Sequence, residues 1–153
     1  MAASVYRSTL PLKGPLLGLL YVWRKAIEIT TGICLPHRAV IGPGLCLNHF
    51  GPIIVNKDAV IGADCDIAQC VTIGVSGHGA RRGVPVIGNH VYIGPCATVS
   101  GKIVVGDGAR ISGNSLVISD VPPGALVSGV PARMIRRAVG EGSDMAECGE
   151  SDY

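Results

Sequence analysis

Aromatic and charged residues are scarce in this sequence. Of its 153 residues, 4% are aromatic and 16% are charged. So few aromatic rings exclude the stacking platforms that bind single-stranded nucleic acid. In contrast, the chain contains 22 glycines and 10 prolines, and 48% of it is apolar. This composition predicts one domain with a core of small branched aliphatic side chains, interrupted by many tight turns.

A run of basic residues, such as a DNA-binding arm would carry, is also absent. The charge is nevertheless unevenly distributed. Thirteen basic and six acidic residues lie at or before Arg137, and five acidic residues follow it, so the body carries +7 and the tail −5. A basic body suits a polyanionic ligand. Residues 138–153 are typical of an acidic, disordered tail.

CxxC pairs are absent among the six cysteines, most of which lie within aliphatic segments. Cysteine in such surroundings behaves as a small hydrophobic residue. Thiols of this kind are usually reduced inside the cell. We therefore expect reduced cysteines, no metal site and a cytoplasmic location.

An apolar run long enough to cross a bilayer is missing too. The mostly apolar stretch 15–23 has nine residues, whereas a spanning helix needs ~20. We predict an amphipathic helix from Leu12 to about Thr31 that ends at Gly32, within an N-terminal segment 1–31. Two alternatives remain open for this helix: it packs on the body as a lid, or it associates weakly with a membrane surface.

A six-residue period organises the rest of the chain. Aliphatic residues recur at every sixth position in two blocks, from Leu35 to Ile73 and from Ile87 to Val117. Hexads with one inward aliphatic residue are typical of a triangular β-solenoid, with one hexad per face and three per coil. A spacing of six does not keep one helical face, so these blocks are not helices. Thirteen hexads predict a little over four coils within a domain of residues 32–137.

Two insertions interrupt the period. Two extra residues lie within 47–55, and eight extra residues lie within 73–87. Three hexads per coil place four third-position residues in one column: His49, Gln69, Pro95 and Gly113. The second insertion, loop 75–84, then lies about one coil from His49. We therefore expect His49 and this loop to share a site.

Several motifs in combination resemble a known family. They are LNHFGPIIVNKDAVIG, CVTIGVSG with a glycine-rich loop, PVIGNHVYIG and VPPGALVSGVPARMI. Over about residues 32–137 the chain resembles the serine acetyltransferase branch of the hexapeptide-repeat acyltransferases. This resemblance implies an all-β fold, a left-handed parallel β-helix. It also implies a homotrimer with acetyl-CoA in the groove between neighbouring subunits, and neither a metal nor a nucleic acid partner.

The resemblance also assigns roles to residues. It implies that His49 is the general base, and we expect the backbone N–H of Gly74 or a nearby glycine to stabilise the oxyanion. Asn48 and His78 are expected at the acceptor, although a solvated loop without function is the simpler interpretation of His78. The residues expected to bind CoA are Ser76, Gly77, Arg81, Arg82, Pro95, Gly113, Pro131, Ala132 and Arg133.

Some family residues are missing, which bears on the acceptor. Cys34 stands where the family has the aspartate that pairs with the histidine, and a second substrate-binding histidine would fall near Val84. We therefore predict an O-acetyltransferase that acts on a sugar hydroxyl in polysaccharide biosynthesis, with serine acetyltransferase as the alternative. A non-catalytic CoA-binding module is a further alternative. A zinc carbonic anhydrase needs three converging histidines, whereas the four histidines here lie in different columns or in the loop.

Overall fold

A single helix precedes the β-structure in the computed structural model, which describes residues 13–137. Helix α1 spans Lys13–Thr31, as the sequence predicts. It ends at Gly32, where φ is +73°, a left-handed conformation that glycine adopts without steric cost. Residues 1–12 and the predicted acidic tail lie outside the described residues.

Short strands follow α1 along the rest of the described chain. They are β1 (Ile33–Cys34), β2 (Val40–Ile41), β3 (Ile53–Val55), β4 (Val60–Ile61), β5 (Asp66–Ile67), β6 (Thr72–Gly74), β7 (Val86–Ile87), β8 (Tyr92–Ile93), β9 (Thr98–Ser100), β10 (Val104–Val105), β11 (Arg110–Ile111), β12 (Leu116–Val117), β13 (Ala125–Gly129) and β14 (Ala132–Arg137).

The strands form three sheets, and from β1 to β13 consecutive strands lie in different sheets. Sheet A has the order β1-β3-β6-β9-β12, sheet B β10-β7-β4-β2, and sheet C β14-β13-β11-β8-β5. Within each sheet, the strands up to β13 pair in parallel and in register, so that Ile67 lies opposite Ile93, which lies opposite Ile111. This is the triangular β-helix that the hexads predict, with three hexads per coil. Its three edges are called the A–B, B–C and C–A corners below.

The inward hexad positions form the core. Their side chains are buried with at most 2% exposure, and fully burying one contributes about 1.5–3 kcal/mol. They include Ile61, Ile67, Ile73, Ile87, Ile93, Val99, Val105, Ile111 and Val117. The Cys65 thiol joins this core, and burial raises its pKa. Among the described residues, Ser115 is the only polar residue that is buried. Its hydroxyl accepts a hydrogen bond from Gly129 N at 3.2 Å.

The last two strands lie beyond the hexads, which the sequence predicts from Leu35 to about Pro122. Strands β13 and β14 form an antiparallel hairpin, with Gly129 opposite Ala132. The chain reverses at Gly129, where φ is +102°, and at the cis peptide bond between Val130 and Pro131. The six-residue period has ended by this point, so β14 adds to the edge of sheet C and does not begin another coil.

The cysteines agree only in part with the expectation of reduced thiols. Cys34, Cys65, Cys70 and Cys96 are free, whereas Cys46 is disulfide-bonded. Cys46 does not occupy an inward hexad position. Its neighbours Leu45 and Leu47 pack on the core, so the alternation of a strand turns Cys46 outward.

Helix α1 packs on β1 and leaves much of its apolar surface exposed. Leu19, Trp23 and Ile29 are 66%, 67% and 80% exposed. Arg24 and Glu28 form an ion pair at 3.1 Å on the helix. None of the helices in residues 13–137 is both long and apolar enough to cross a membrane. Weak association of α1 with a membrane surface remains a prediction.

Candidate active site

A bulge at the C–A corner of the first coil carries His49. Cys46 pairs with Asp66, an offset of 20 residues, whereas Ile54 pairs with Thr72, an offset of 18. The two extra residues between these pairs enlarge the corner into a bulge, residues 48–52. They push His49 out of the column in which the hexad count places it.

Gly51 takes the column position above Gln69. A Cβ added to Gly51 would lie 3.3 Å from Gln69 Cβ. The expectation that His49 itself stacks on Gln69 is therefore wrong, because the insertion displaces the register by two residues. His49 is exposed at the bend of the bulge, and the neighbouring Phe50 is 88% exposed.

Two hydrogen bonds tie the bulge to its surroundings on either side of His49. Gly51 N donates to Thr31 O at 3.2 Å, and Asn48 Nδ2 donates to Asp66 Oδ1 at 2.8 Å. Asn48, expected at the acceptor, thus holds the bulge to the next coil. Asp66 was missed in the sequence, although the offset of 20 residues places it beside the bulge.

The C–A corner continues without interruption below the bulge. A Cβ on Gly113 would lie 3.0 Å from Pro95 O and 3.3 Å from the Pro95 ring, so these two residues stack as the sequence predicts. Ile111 pairs with Val127, which places Gly129 directly after Gly113 in the column. The column therefore runs from Gly51 through Gln69, Pro95 and Gly113 to Gly129.

The GVPAR segment closes the column at its C-terminal end. It forms the turn between β13 and β14, where Pro131 and Arg133 are exposed and Ala132 is buried. The Arg133 guanidinium donates from Nη1 to Ala132 O at 3.1 Å. Five residues expected to bind CoA thus meet at one corner: Pro95, Gly113, Pro131, Ala132 and Arg133. We call this surface the C–A groove.

The glycine-rich loop lies at the A–B corner. Ser76 and Gly83 exchange two backbone hydrogen bonds of 3.1 Å, so the loop is closed at its base. Its tip contains Gly77, with φ of +93°, and a 3₁₀ turn at Gly79–Arg81. His78 and Arg82 are exposed there. Loop residues 75–84 thus have a defined backbone.

Loop and bulge lie at opposite ends of sheet A within one chain. Five residues separate Cys70 at the C–A corner from Val75 at the A–B corner, a span of about 16 Å at about 3.3 Å per residue. A base and an oxyanion donor must both lie about 3 Å from the reacting group. The expectation that His49 and the loop share a site within one chain is therefore wrong.

The backbone N–H of Gly74 is also committed to the sheet. Gly74 pairs with Ser100, and Gly101 N donates to Gly74 O at 3.3 Å. In a parallel ladder this pairing directs Gly74 N–H to Val99 O, which makes Gly74 unsuitable as an oxyanion donor. The next N–H, that of Val75, has no backbone acceptor among residues 13–137. A Cβ at Gly74 would meet only Thr72 Cγ2, at 3.8 Å.

The remaining histidines outside the loop lie at other corners. His37, between β1 and β2 at the A–B corner, lies 3.3 Å from Arg24 (Nδ1 to Nη1). His90, between β7 and β8 at the B–C corner, lies 4.0 Å from Asp64 (Nδ1 to Oδ2). In the part of the chain that the structure describes, no group of three histidine, cysteine or acidic residues is placed to hold a metal.

Known proteins resemble this chain in sequence and structure. The serine acetyltransferase of Mycobacterium tuberculosis is 37% identical over 115 residues, which cover 73% of this chain and 50% of that protein. The serine acetyltransferase of Neisseria gonorrhoeae in complex with serine superposes with a TM-score of 0.70 at 37% identity, over 82% of this chain and 50% of that one. A serine acetyltransferase in complex with CoA gives 0.67 at 34%, over 77% and 48%.

The similarity covers only part of each relative. The matched segments span 29% to 50% of the length of the curated relatives named by these comparisons. Models of protein families were also compared, and none matches the chain. The predicted left-handed β-helix is the fold of these structural neighbours.

Proposed function

Because the β-helix of this chain is homologous to that of the serine acetyltransferases, within the hexapeptide-repeat acyltransferases, we propose that the protein transfers the acetyl group of acetyl-CoA to the hydroxyl of L-serine. The observation that carries the proposal is the exposed His49 on a tethered bulge at the head of the C–A groove. The imidazole side chain of a histidine is a suitable general base for a hydroxyl group at neutral pH.

The reaction needs no covalent enzyme intermediate. His49 takes the proton of the serine hydroxyl while its oxygen attacks the thioester carbonyl. The negative charge that develops on the carbonyl oxygen needs a fixed N–H donor, and the backbone of Val75 supplies one. When the tetrahedral intermediate collapses, the C–S bond breaks and the thiolate of CoA takes the proton from the imidazolium.

The site requires two copies of the chain. The C–A corner, which carries His49, and the A–B corner, which carries Val75, are about 16 Å apart along sheet A of one copy, so one carbonyl reaches both residues only if they come from different subunits. A closed trimer places the C–A corner of one copy against the A–B corner of the next. In this arrangement the loop residues Ser76, Gly77, His78 and Arg82 form the second wall of the groove. Its basic charge complements the phosphates of CoA.

The proposed acceptor is serine, and not the sugar that the sequence analysis favours. The relatives are serine acetyltransferases, and none of the comparisons supports a role in polysaccharide biosynthesis. The sugar hypothesis depended on missing family residues, Cys34 above all. Asp66 accepts a hydrogen bond from Asn48 and so provides a carboxylate that holds the bulge on which His49 lies.

The test measures release of free thiol from acetyl-CoA with L-serine and with a panel of sugars. We expect turnover with serine, and a fall of about 10²–10⁴-fold in kcat for His49→Ala. His90→Asn is the matched control, because this exposed histidine lies at the B–C corner, outside the proposed site, and asparagine tolerates its φ of +54°; its kcat should be unchanged.

Three results would contradict the proposal. Turnover with a sugar but not with serine would overturn the acceptor. A His49→Ala variant with undiminished turnover would overturn the mechanism. Binding of acetyl-CoA without transfer to any acceptor would favour the non-catalytic CoA-binding module.

A further inference from the structure

Two free cysteines lie on top of each other in the C–A groove. Asp66 pairs with Tyr92 and Thr72 pairs with Thr98, both with an offset of 26 residues. The same offset relates Cys70 to Cys96, which lie between these pairs on consecutive coils. Cys96 N donates to Gln69 O at 3.0 Å, so the two coils are hydrogen-bonded to each other beside the cysteines.

Both thiols are exposed and interact with each other. Cys70 and Cys96 are free and exposed. Desolvation, and then the hydrogen bond and charge interaction with Cys96, raise the pKa of the Cys70 thiol. The register and the shared exposure distinguish this pair from Cys65, whose buried thiol is directed to Gly88 O at 3.2 Å.

Backbone conformation makes cysteine an unusual choice at these two positions. The φ angles of Cys70 and Cys96 are +61° and +60°, and the next residue at the same corner, Asn114, has +56°. Asparagine and glycine tolerate this left-handed region, whereas most side chains do so at a cost. Packing alone therefore does not account for cysteine at both positions.

We propose that Cys70 and Cys96 form a redox modification site, a dithiol that a low-molecular-weight disulfide oxidises to a disulfide across two coils of the C–A groove. The spacing of neighbouring strands, about 4.7–4.9 Å, lies within the Cα distance of disulfides, about 4.4–6.8 Å. Stacked Cβ atoms at that spacing are slightly beyond the usual 3.5–4.5 Å. The two coils must therefore approach each other at the C–A corner when the disulfide forms, and the disulfide should be easily reduced.

The chemistry consists of two exchange steps. One cysteine thiolate attacks the small disulfide, forms a mixed disulfide and releases one thiol. The second cysteine thiolate attacks the protein sulfur of that mixed disulfide and releases the second thiol. Two protein thiols are oxidised, one small disulfide is reduced to two thiols, and the protons of the cysteines pass to the leaving thiolates.

The site adjoins the residues assigned to the proposed reaction. Cys70 follows Gln69, on which Gly51 of the bulge stacks, and Cys96 follows Pro95 of the column. A disulfide that draws the two coils together changes the surface between His49 and the turn that is proposed to bind CoA. We infer that oxidation lowers acetyl transfer, and this part of the inference rests on the proposed function.

Peptide mapping of the full-length protein tests the disulfide without any substrate. The protein is treated with oxidised glutathione, alkylated, and digested with trypsin without reduction. Trypsin separates peptide 58–81, which contains Cys65 and Cys70, from peptide 83–102, which contains Cys96. We expect these two peptides to be linked, with the loss of two hydrogen atoms, and to separate on treatment with dithiothreitol.

Matched variants identify the linked sulfur atoms. Cys70→Asn and Cys96→Asn should each abolish the link and still fold, because asparagine occupies the equivalent position 114. Cys65→Ala should retain the link. Recovery of Cys70 and Cys96 as separately alkylated peptides after oxidation, or loss of the link in Cys65→Ala, would overturn the modification site.

An activity measurement tests the consequence for transfer. Oxidation should lower the rate at least several-fold in the wild type and leave Cys70→Asn unaffected. A link that forms without any change in the rate would overturn the regulatory role and leave the modification site standing. Because the link is measured without substrate, failure of the proposed function is distinguished from failure of this inference.

Discussion

Single glycine residues determine how closely the coils approach at the C–A corner. A Cβ on Gly94 would lie 2.6 Å from Gly113 N, a contact with backbone that a side-chain movement cannot relieve. Its φ is not in the left-handed region, so lack of space and not backbone conformation requires glycine at position 94. The open position at Gly74 offers a direct comparison.

Gly94→Ala should destabilise the fold by about 1–3 kcal/mol, because the added methyl group overpacks a well-packed interface between coils. Gly74→Ala is the control and should change the free energy of unfolding by less than about 0.5 kcal/mol. Urea denaturation of both variants measures the difference. Equal stability of the two variants would show that the coils separate at little cost.

Among the structural elements, the bulge at residues 48–52 determines the position of His49, the proposed base. Regular hexads turn the corner with side chains in register, whereas two extra residues lift His49 out of the column. The bulge is exposed, so its conformation depends on the hydrogen bonds of Asn48 to Asp66 and of Gly51 to Thr31. A small movement of a base is costly, since a misplacement of about 1 Å reduces a rate about 10²-fold.

Asp66→Ala should lower kcat at least about tenfold through loss of the Asn48 hydrogen bond and release of the bulge. The KM for acetyl-CoA should change little, because the binding turn lies several coils away, and stability should fall by only about 1 kcal/mol. Steady-state kinetics and thermal denaturation measure the two effects.

Asp66→Asn is the matched control, because its amide oxygen still accepts the bond from Asn48. It should recover most of the activity. A variant Asp66→Asn as slow as Asp66→Ala would indicate that the charge of Asp66 acts on the reaction, and a positioning role through Asn48 would be wrong.

In the molecule as a whole, the triangular cross-section separates His49 from the Val75 N–H, the two groups that the proposed acetyl transfer needs. The bulge and the glycine-rich loop lie at different corners, about 16 Å apart along sheet A. A single chain therefore cannot complete the proposed site, and the proposed reaction requires at least two assembled copies. Formation of a closed trimer remains a prediction.

Mixing two inactive variants tests this arrangement. One is His49→Ala, and the other has residues 77–82 replaced by a Gly-Ser linker, which should cost little stability because Ser76 and Gly83 still close the loop. After refolding of an equal mixture, random assembly combines an intact His49 with an intact loop at about a quarter of the interfaces. Activity should therefore return to about a quarter of the wild-type rate. No recovery in verified mixed oligomers would place the site within one chain.

The fold and the stacked column of the candidate site follow from sequence spacing. The hexads place Ile67, Ile93 and Ile111 in register because a strand alternates sides and a corner needs a constant number of residues. The same count correctly stacks Pro95 on Gly113. The hexad count fails at His49. The C–A corner of the first coil has seven residues, and spacing alone does not show which of them remains in the column.

Local spacing along the chain specifies what repeats: the coil, its aliphatic core and the column of small residues. The contacts between coils specify what lies beside the repeats. They show that Asp66 holds Asn48, that Gly74 N–H is used within the sheet, that the described residues end in a hairpin and that Cys70 stacks on Cys96. These are contacts between residues distant in the chain, and their geometry depends on how each coil rests on the next.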